Sequence, residues 1–350
     1  MLRNLRLTSI WCLVMAKSGD NKRISVLGDG AWGTTIALLL KKNGFEPLVW
    51  GHDSSYIEEV KAKGENFRYL PGFSTKGIVF SSDLKDAFSF SDIIILAVPS
   101  RFAGNLIRRL SKSDFATGKK WCIATKGMDF SSKQPFSEII REFVSPKAVA
   151  VISGPAIAKE VAKGLPTVLV CAGRPVGFAV FLRNAFSSRS LRVYSSNDVL
   201  GVELGGALKN VIAIAAGMCD GLGLGVNAKS ALITRGLSEM ARLACKMGAK
   251  KKTLYGASGI GDLMTTCFSP SSRNRSFGQA IAQGNDPKLL LNNSITAIEG
   301  AYTSRIVVSL AKKYEIELPI SKQVYNIIFR GADINKAIVS LLSRPLKHED

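Results

Sequence analysis

Histidine is almost missing from this chain of 350 residues; only His52 and His348 occur. Its scarcity excludes a His-rich metal site and argues against imidazole acid–base chemistry, so no metal is expected. The cysteines (Cys12, Cys122, Cys171, Cys219, Cys245 and Cys267) contain no CxxC pair, and most sit in apolar runs. That suits free thiols in a reducing, cytoplasmic compartment rather than a disulfide framework. No apolar run reaches the roughly 18–20 uncharged residues that a membrane span needs; the best candidate, 202–218, contains Glu203, Lys209 and Asn210. Internal repeats and low-complexity linkers are also lacking. Acidic residues are few, 27 against 47 basic, for a formal net charge of +20. The basic residues are scattered, with denser spots at 250–252, 108–109, 119–120 and Arg273 with Arg275. They carry no RNA-recognition signature, zinc-finger spacing or basic arm, so no nucleic-acid partner is expected. The charge reads as solubility or as steering of an anionic substrate and cofactor.

Hydrophobic residues make up 46% of the chain and are spread along it, enough for two ordinary domains. Residues 1–21 read as an extension: Arg3 and Arg6 precede a short apolar stretch that faintly resembles a signal peptide, and a start at Met15 is preferred. Short apolar runs then predict strands over 23–27, 47–50, 77–80, 92–98, 120–125, 148–152 and 167–171. Helical patterns separate them at 34–43, 55–63, 100–110, 135–143 and 157–163. From about 197 strand-like runs nearly vanish, and helices are predicted over 197–218, 228–247, 273–283, 297–313, 321–329 and 333–342. The expected fold is an α/β Rossmann-type doubly wound sheet (22–197) followed by an all-α domain (198–345), with a tail at 346–350.

The first strand runs into Gly28-Asp29-Gly30-Ala31-Trp32-Gly33, a GxGxxG turn between a strand and an apolar helix. Gly28 suits the tight turn, Gly30 the approach of a pyrophosphate, and Gly33 close packing of helix on sheet; the helix N-terminus offers free N–H groups to phosphates. At the end of the second strand, Asp53 could accept hydrogen bonds from the ribose of NAD or could cap the next helix, while His52 could favour a 2′-phosphate. The reading leans to NADP(H), with NAD(H) possible. Val98-Pro99-Ser100 ends a central strand where ligands line the crevice of such sheets.

Carbonyl reduction by a nicotinamide needs a proton donor, and without histidine lysine is the candidate. Lys126 follows the strand WCIAT at the edge that carries the glycine turn. Lys209 lies in an apolar helix behind Gly205 and Gly206; there a desolvated ammonium would have a lowered pKa, and the glycines would permit a close approach by something. The alternative is a lysine reaching out to solvent. Ser258-Gly259-Ile260-Gly261-Asp262 delivers a carboxylate that could bond to Lys209 or to a substrate hydroxyl, or simply cap a helix. Residues 269–275, with Ser272, Arg273 and Asn274, read as a phosphate receptor or as a solvated basic turn.

Together VLGDGAWGTTIA, AVPS, ATKGMD, ISGPAIAKEVAKGLPT, GVELGGALKNVIAIAAGMCDG, ALITRGLSEM, GIGDLMTTC, SRNRSFG and AIEGAYTS resemble the bacterial NAD(P)-dependent glycerol-3-phosphate dehydrogenase family, over about 22–344. The resemblance implies reversible reduction of dihydroxyacetone phosphate to sn-glycerol 3-phosphate, supplying glycerophospholipid synthesis, in a homodimer. It implies that Lys209 is the acid–base residue, aided by Lys126 and Asp262. Substrate contacts map to Lys126, Gly154, Ala156, Lys209, Asp262, Ser272, Arg273 and Asn274, and cofactor contacts to Ala31, Trp32, His52, Lys126, Ala158, Arg273, Ala297 and Glu299. Many relatives carry Ser or Thr at the positions of Ala31 and Ala156, so here those contacts would come from backbone groups. The competing readings are a β-hydroxyacid or ketopantoate-type reductase and a non-catalytic NADPH-binding regulator.

Overall fold

A computed structural model describes residues 22–294, 297–343 and 345; the expectations for 1–21 and for the tail from 346 lie outside these. Eight strands form one sheet: β1 (Arg23–Leu27), β2 (Glu46–Trp50), β3 (Val79–Ser81), β4 (Ile93–Leu96), β5 (Lys120–Ile123), β6 (Ala148–Ser153), β7 (Thr167–Arg174) and β8 (Leu191–Ser196). Their order is β3-β2-β1-β4-β5-β6-β7-β8. All neighbours are parallel except β6 and β7. The central runs are buried on both faces, β4 throughout its length, which explains why IIIL carries no polar alternation. The chain order reverses between β1 and β4, and the crevice at such a switch point is where open α/β sheets take ligands.

Around the sheet lie α1 (Ala31–Lys42), α2 (Ser54–Lys63), α3 (Leu84–Phe90), α4 (Ser100–Leu110), α5 (Phe136–Val144), α6 (Ala158–Ala162) and α7 (Val176–Phe186). Three of these elements escape the sequence reading. α3 spans only seven residues. α7 is separated from β7 by Pro175 alone, so no loop marks the change of period. β8 is a sheet edge whose burial alternates with exposure at Arg192 and Tyr194, so it shows no continuous apolar run.

The second half is helical: α8 (Val199–Gly221), α9 (Gly225–Lys246), α10 (Lys251–Leu254), α11 (Asp262–Phe268), α12 (Arg273–Ala282), α13 (Pro287–Asn292), α14 (Glu299–Lys313), α15 (Pro319–Arg330) and α16 (Ile334–Leu342). α8 is long and apolar enough to cross a membrane, but it is the core of this half, with 94% of its most apolar window buried. Asp198 anchors its start, accepting from Gly201 N at 3.0 Å, Lys250 N at 2.9 Å and Thr253 Oγ1 at 2.6 Å. Farther along, a Cβ at Gly217 would strike the Arg275 carbonyl. α8 and α12 therefore pack backbone against backbone, which fixes where Arg273 stands.

Candidate active site

The glycine turn has the shape a dinucleotide needs. Gly28 has φ +122°, and a Cβ there would lie 2.7 Å from the Ala97 backbone, while one at Gly33 would overlap the Gly28 carbonyl oxygen. Above Gly30, by contrast, a Cβ would meet nothing within 4 Å. The gap lies at the uncapped N-terminus of α1, which begins with Ala31 and Trp32 and has no acidic residue in its first turn. Its free N–H groups and partial positive charge suit a pyrophosphate. Trp32 also buries its Nε1–H without a hydrogen-bond partner among the described residues. Ala158 opens α6, and its carbonyl accepts from Thr35 Oγ1 of α1 at 3.2 Å. His52 is exposed just beyond β2. Asp53, left open between two roles by the sequence, caps α2: it accepts from Tyr56 N at 3.1 Å and Ser55 Oγ at 2.9 Å.

In the helical half, Lys209 is buried on α8, and its Nζ donates to Asp262 Oδ1 at 2.5 Å and Thr266 Oγ1 at 2.5 Å. Lys126, beyond β5, donates to Asp262 Oδ2 at 2.7 Å and to the Gly154 carbonyl at 3.0 Å. One carboxylate thus joins two ammonium groups, leaving a net positive charge in a largely dry place. Burial is the main force lowering the Lys209 pKa to about 8; the Lys126 charge lowers it further, and Asp262 opposes the shift. Asp262 is the first residue of α11, but its side chain turns to the lysines rather than capping the helix.

The glycines before Lys209 explain this geometry. A Cβ at Gly205 would collide with the Ser258 carbonyl, and one at Gly206 would lie 2.5 Å from Ser153 Oγ and 3.6 Å from Lys126 Cγ. The close approach expected of them is that of the Ala257–Gly261 turn and of the segment ending β6. That turn has π-helical hydrogen bonding, and it delivers Asp262. Gly154, at φ +143°, bends the chain so that its carbonyl faces Lys126. Ala156 lies beyond it, half-buried.

The triplet 272–274 divides its tasks. Ser272 caps α12, accepting from Arg275 N at 3.3 Å. Asn274 is buried; its Nδ2 donates to Asn210 Oδ1 at 2.9 Å and its Oδ1 accepts from Gly300 N at 2.9 Å. Arg273 is exposed, with Glu299 as its neighbouring opposite charge. Glu299 follows buried Ala297 and accepts from Ser100 N at 2.9 Å and from Ser100 Oγ. It therefore ties the helical half to the start of α4; burial raises its pKa. The sequence reading missed Thr266 and Asn210. Thr266 stands one helical turn after Asp262, a spacing that could have drawn attention to it, whereas Asn210, directly after Lys209 on the helix, points to another face and carries no such signal.

Sequence models for the N- and C-terminal parts of NAD-dependent glycerol-3-phosphate dehydrogenase match residues 23–178 and 198–339. A glycerol-3-phosphate dehydrogenase (NAD(P)+) from Bacillus thuringiensis (strain Al Hakam) is 39% identical over 331 residues, covering 93% of this chain and 97% of the relative. Among solved structures, glycerol-3-phosphate dehydrogenase from Coxiella burnetii superposes with a TM-score of 0.88 at 38% identity, covering 92% of this chain and 99% of that one. A ketopantoate reductase from Ralstonia eutropha shares the fold alone, with a TM-score of 0.54 at 15% identity over 87% of this chain and 97% of that one.

Proposed function

The chain belongs to the NAD-dependent glycerol-3-phosphate dehydrogenase family, and from that premise we propose that Lys209 is the proton donor for reduction of dihydroxyacetone phosphate to sn-glycerol 3-phosphate. The protein is an NAD(P)-dependent oxidoreductase. The observation that carries the assignment of roles is the Lys209–Asp262–Lys126 cluster, in which one buried carboxylate holds two ammonium groups.

The chemistry a bound reduced dinucleotide supplies here is a hydride for the ketone carbon. Gly28, Gly30, Gly33 and the backbone of Ala31 and Trp32 would hold its phosphates, with His52, Lys126, Ala158, Arg273, Ala297 and Glu299 along its length. Lys209 Nζ holds the proton destined for the ketone oxygen as that oxygen gains charge. Its lowered pKa brings proton transfer near neutral pH. Asp262 fixes the ammonium in place, and Lys126 adds a second positive charge to stabilise the alkoxide. Arg273 takes the substrate phosphate in charge-assisted hydrogen bonds. Ser272 and Asn274 position it from below, and Gly154 and Ala156 line the substrate's other side. Burial of Lys209 and Asp262 would keep water from the reacting oxygen.

NADPH is the proposed favoured cofactor, on His52 just beyond β2 and on the Arg68 guanidinium 3.7 Å from Asp53, with NADH also accepted. The cytoplasm is the proposed compartment, supported by the buried free thiols Cys122, Cys171, Cys219 and Cys267. A homodimer is the proposed working unit, on family resemblance. The test is loss of NADPH or NADH absorbance on adding dihydroxyacetone phosphate, with unphosphorylated dihydroxyacetone beside it. Turnover of the phosphate ester alone supports the reading; equal turnover of both removes the role given to Arg273, and turnover of neither rejects the substrate.

A further inference from the structure

In sheets of this kind, an acidic residue at the end of β2 ordinarily accepts hydrogen bonds from the adenine ribose of NAD. Here the acid at that place, Asp53, is engaged as the cap of α2 and lies 3.7 Å from Arg68 Nη1. A second carboxylate reaches the same spot from the glycine turn. Asp29 sits between Gly28 and Gly30, and its side chain points across to the end of β2. A Cβ at Gly51 would lie 2.8 Å from Asp29 Cγ and 2.9 Å from its Oδ2. The space beside Gly51 thus belongs to this carboxylate.

Asp29 is held firmly by its backbone, whose carbonyl accepts from Asn66 Nδ2 at 2.6 Å and Thr34 Oγ1 at 3.2 Å. Asn66 is fully buried and also binds the Tyr56 hydroxyl at 2.6 Å. The carboxylate itself is bonded only to its own backbone N–H. No other residue among those described donates to it. Burial raises its pKa, and the titratable and charged groups beside it are His52, Asp53 and Arg68. A half-buried acceptor without an outside donor, beside the glycine turn and the end of β2, is suited to a vicinal diol. It is equally unsuited to a 2′-phosphate, which would bring like charge against it. The opposing element is Arg68, whose guanidinium lies 3.9 Å from the centre of the Tyr56 ring.

We propose that Asp29, not Asp53, is the acid that admits NADH to the cofactor site: it accepts from the adenine-ribose hydroxyls of NADH and, by its charge beside the 2′-position, limits the preference for NADPH. This rests on the dinucleotide reading above and explains how NADH stays acceptable beside His52 and the Arg68 guanidinium.

Direct binding tests it without turnover. NADH and NADPH are titrated separately into the whole protein and followed by nicotinamide fluorescence, for wild type, Asp29→Asn and Asp53→Asn. With Asp29→Asn, the ratio of the NADH Kd to the NADPH Kd should rise about tenfold, the scale of one charge-assisted hydrogen bond or charge clash. With Asp53→Asn, the NADH Kd should stay within about twofold of wild type, since a cap acts on stability. Asp29→Ser reads the same ratio if the asparagine variant does not fold. A ratio that stays put, including equal weakening of both cofactors, would overturn the proposal, as would loss of NADH binding in Asp53→Asn alone. A wild type that binds neither cofactor would instead reject the dinucleotide reading itself.

Discussion

Lys209 Nζ and Asp262 Oδ1 lie 2.5 Å apart although 53 positions separate them in the chain. The contact exists because Gly205 has no side chain. The Ala257–Gly261 turn can therefore press against α8 and present Asp262 to the lysine. An ammonium so placed is both desolvated and paired. Burial, the larger effect, brings its pKa down to about 8, while Asp262 keeps it from falling further.

The pH dependence follows from that value, and its sign differs with direction. Ketone reduction needs the protonated lysine, so kcat/KM should be flat below about 8 and fall about tenfold per pH unit above it. Alcohol oxidation needs the neutral amine, so its kcat/KM should rise with pH and level off above the same point. Initial rates in both directions from pH 6 to 10 provide the check, and identical profiles would contradict the assignment.

Replacing Asp262 by Asn leaves two neighbouring ammonium groups without their shared counter-charge. Removing one partner of a buried ion pair costs about 3–5 kcal/mol. Asp262→Asn should therefore lower the melting temperature, and it should move the reduction limb to lower pH because burial and the Lys126 charge, the larger of the remaining influences on Lys209, both lower its pKa. Differential scanning calorimetry and the pH profile of the variant measure the two effects. An unchanged limb would mean that Asp262 does not tune the lysine.

The strand-to-turn grammar at 23–33 was legible in the sequence because each glycine acts on neighbours within a few residues or on the adjacent strand. Lys209 and Asp262 were legible as separate candidates, since a charge in an apolar helix and an acid after a Gly-rich turn are both local anomalies. Their union was only one of three options open for Asp262, and the Ser100–Glu299 tie was not legible at all, because contacts over 53 and 199 positions depend on tertiary packing. The same limit explains 272–274: the composition of a phosphate receptor does not reveal that Ser272 is a cap and Asn274 a bridge to Asn210 and Gly300. β8 was missed for the opposite reason, since its exposed Arg192 and Tyr194 dilute the apolar signal on which the reading relied.

Arg273 is the one charged residue of that triplet, and the one whose surface is exposed. Arg273→Ala should raise the KM for dihydroxyacetone phosphate by about 10- to 150-fold, the scale of lost hydrogen bonds to a charged group, with a smaller change in kcat. Arg273→Lys should recover only part of the loss, because an ammonium cannot form the bidentate fork. Steady-state kinetics at saturating cofactor decide it, and wild-type KM in the alanine variant would contradict the phosphate role.

Gly205→Ala should disturb the centre from outside the reacting groups. The added methyl would overlap the Ser258 carbonyl, and overpacking of this kind costs about 1–3 kcal/mol. Thermal melts should show the loss. Turnover should fall with it as Asp262 is displaced, while the glycine turn should bind dinucleotide as before.

The most direct test compares wild type with Lys209→Met, which keeps the length of the side chain and removes its proton. Nicotinamide oxidation by dihydroxyacetone phosphate is followed at pH 7, with cofactor Kd measured on the same preparations. The account predicts a fall in kcat of about 10²- to 10⁴-fold, the usual contribution of general acid catalysis, with cofactor binding retained. A Lys209→Met protein that turns over at the wild-type rate would contradict it.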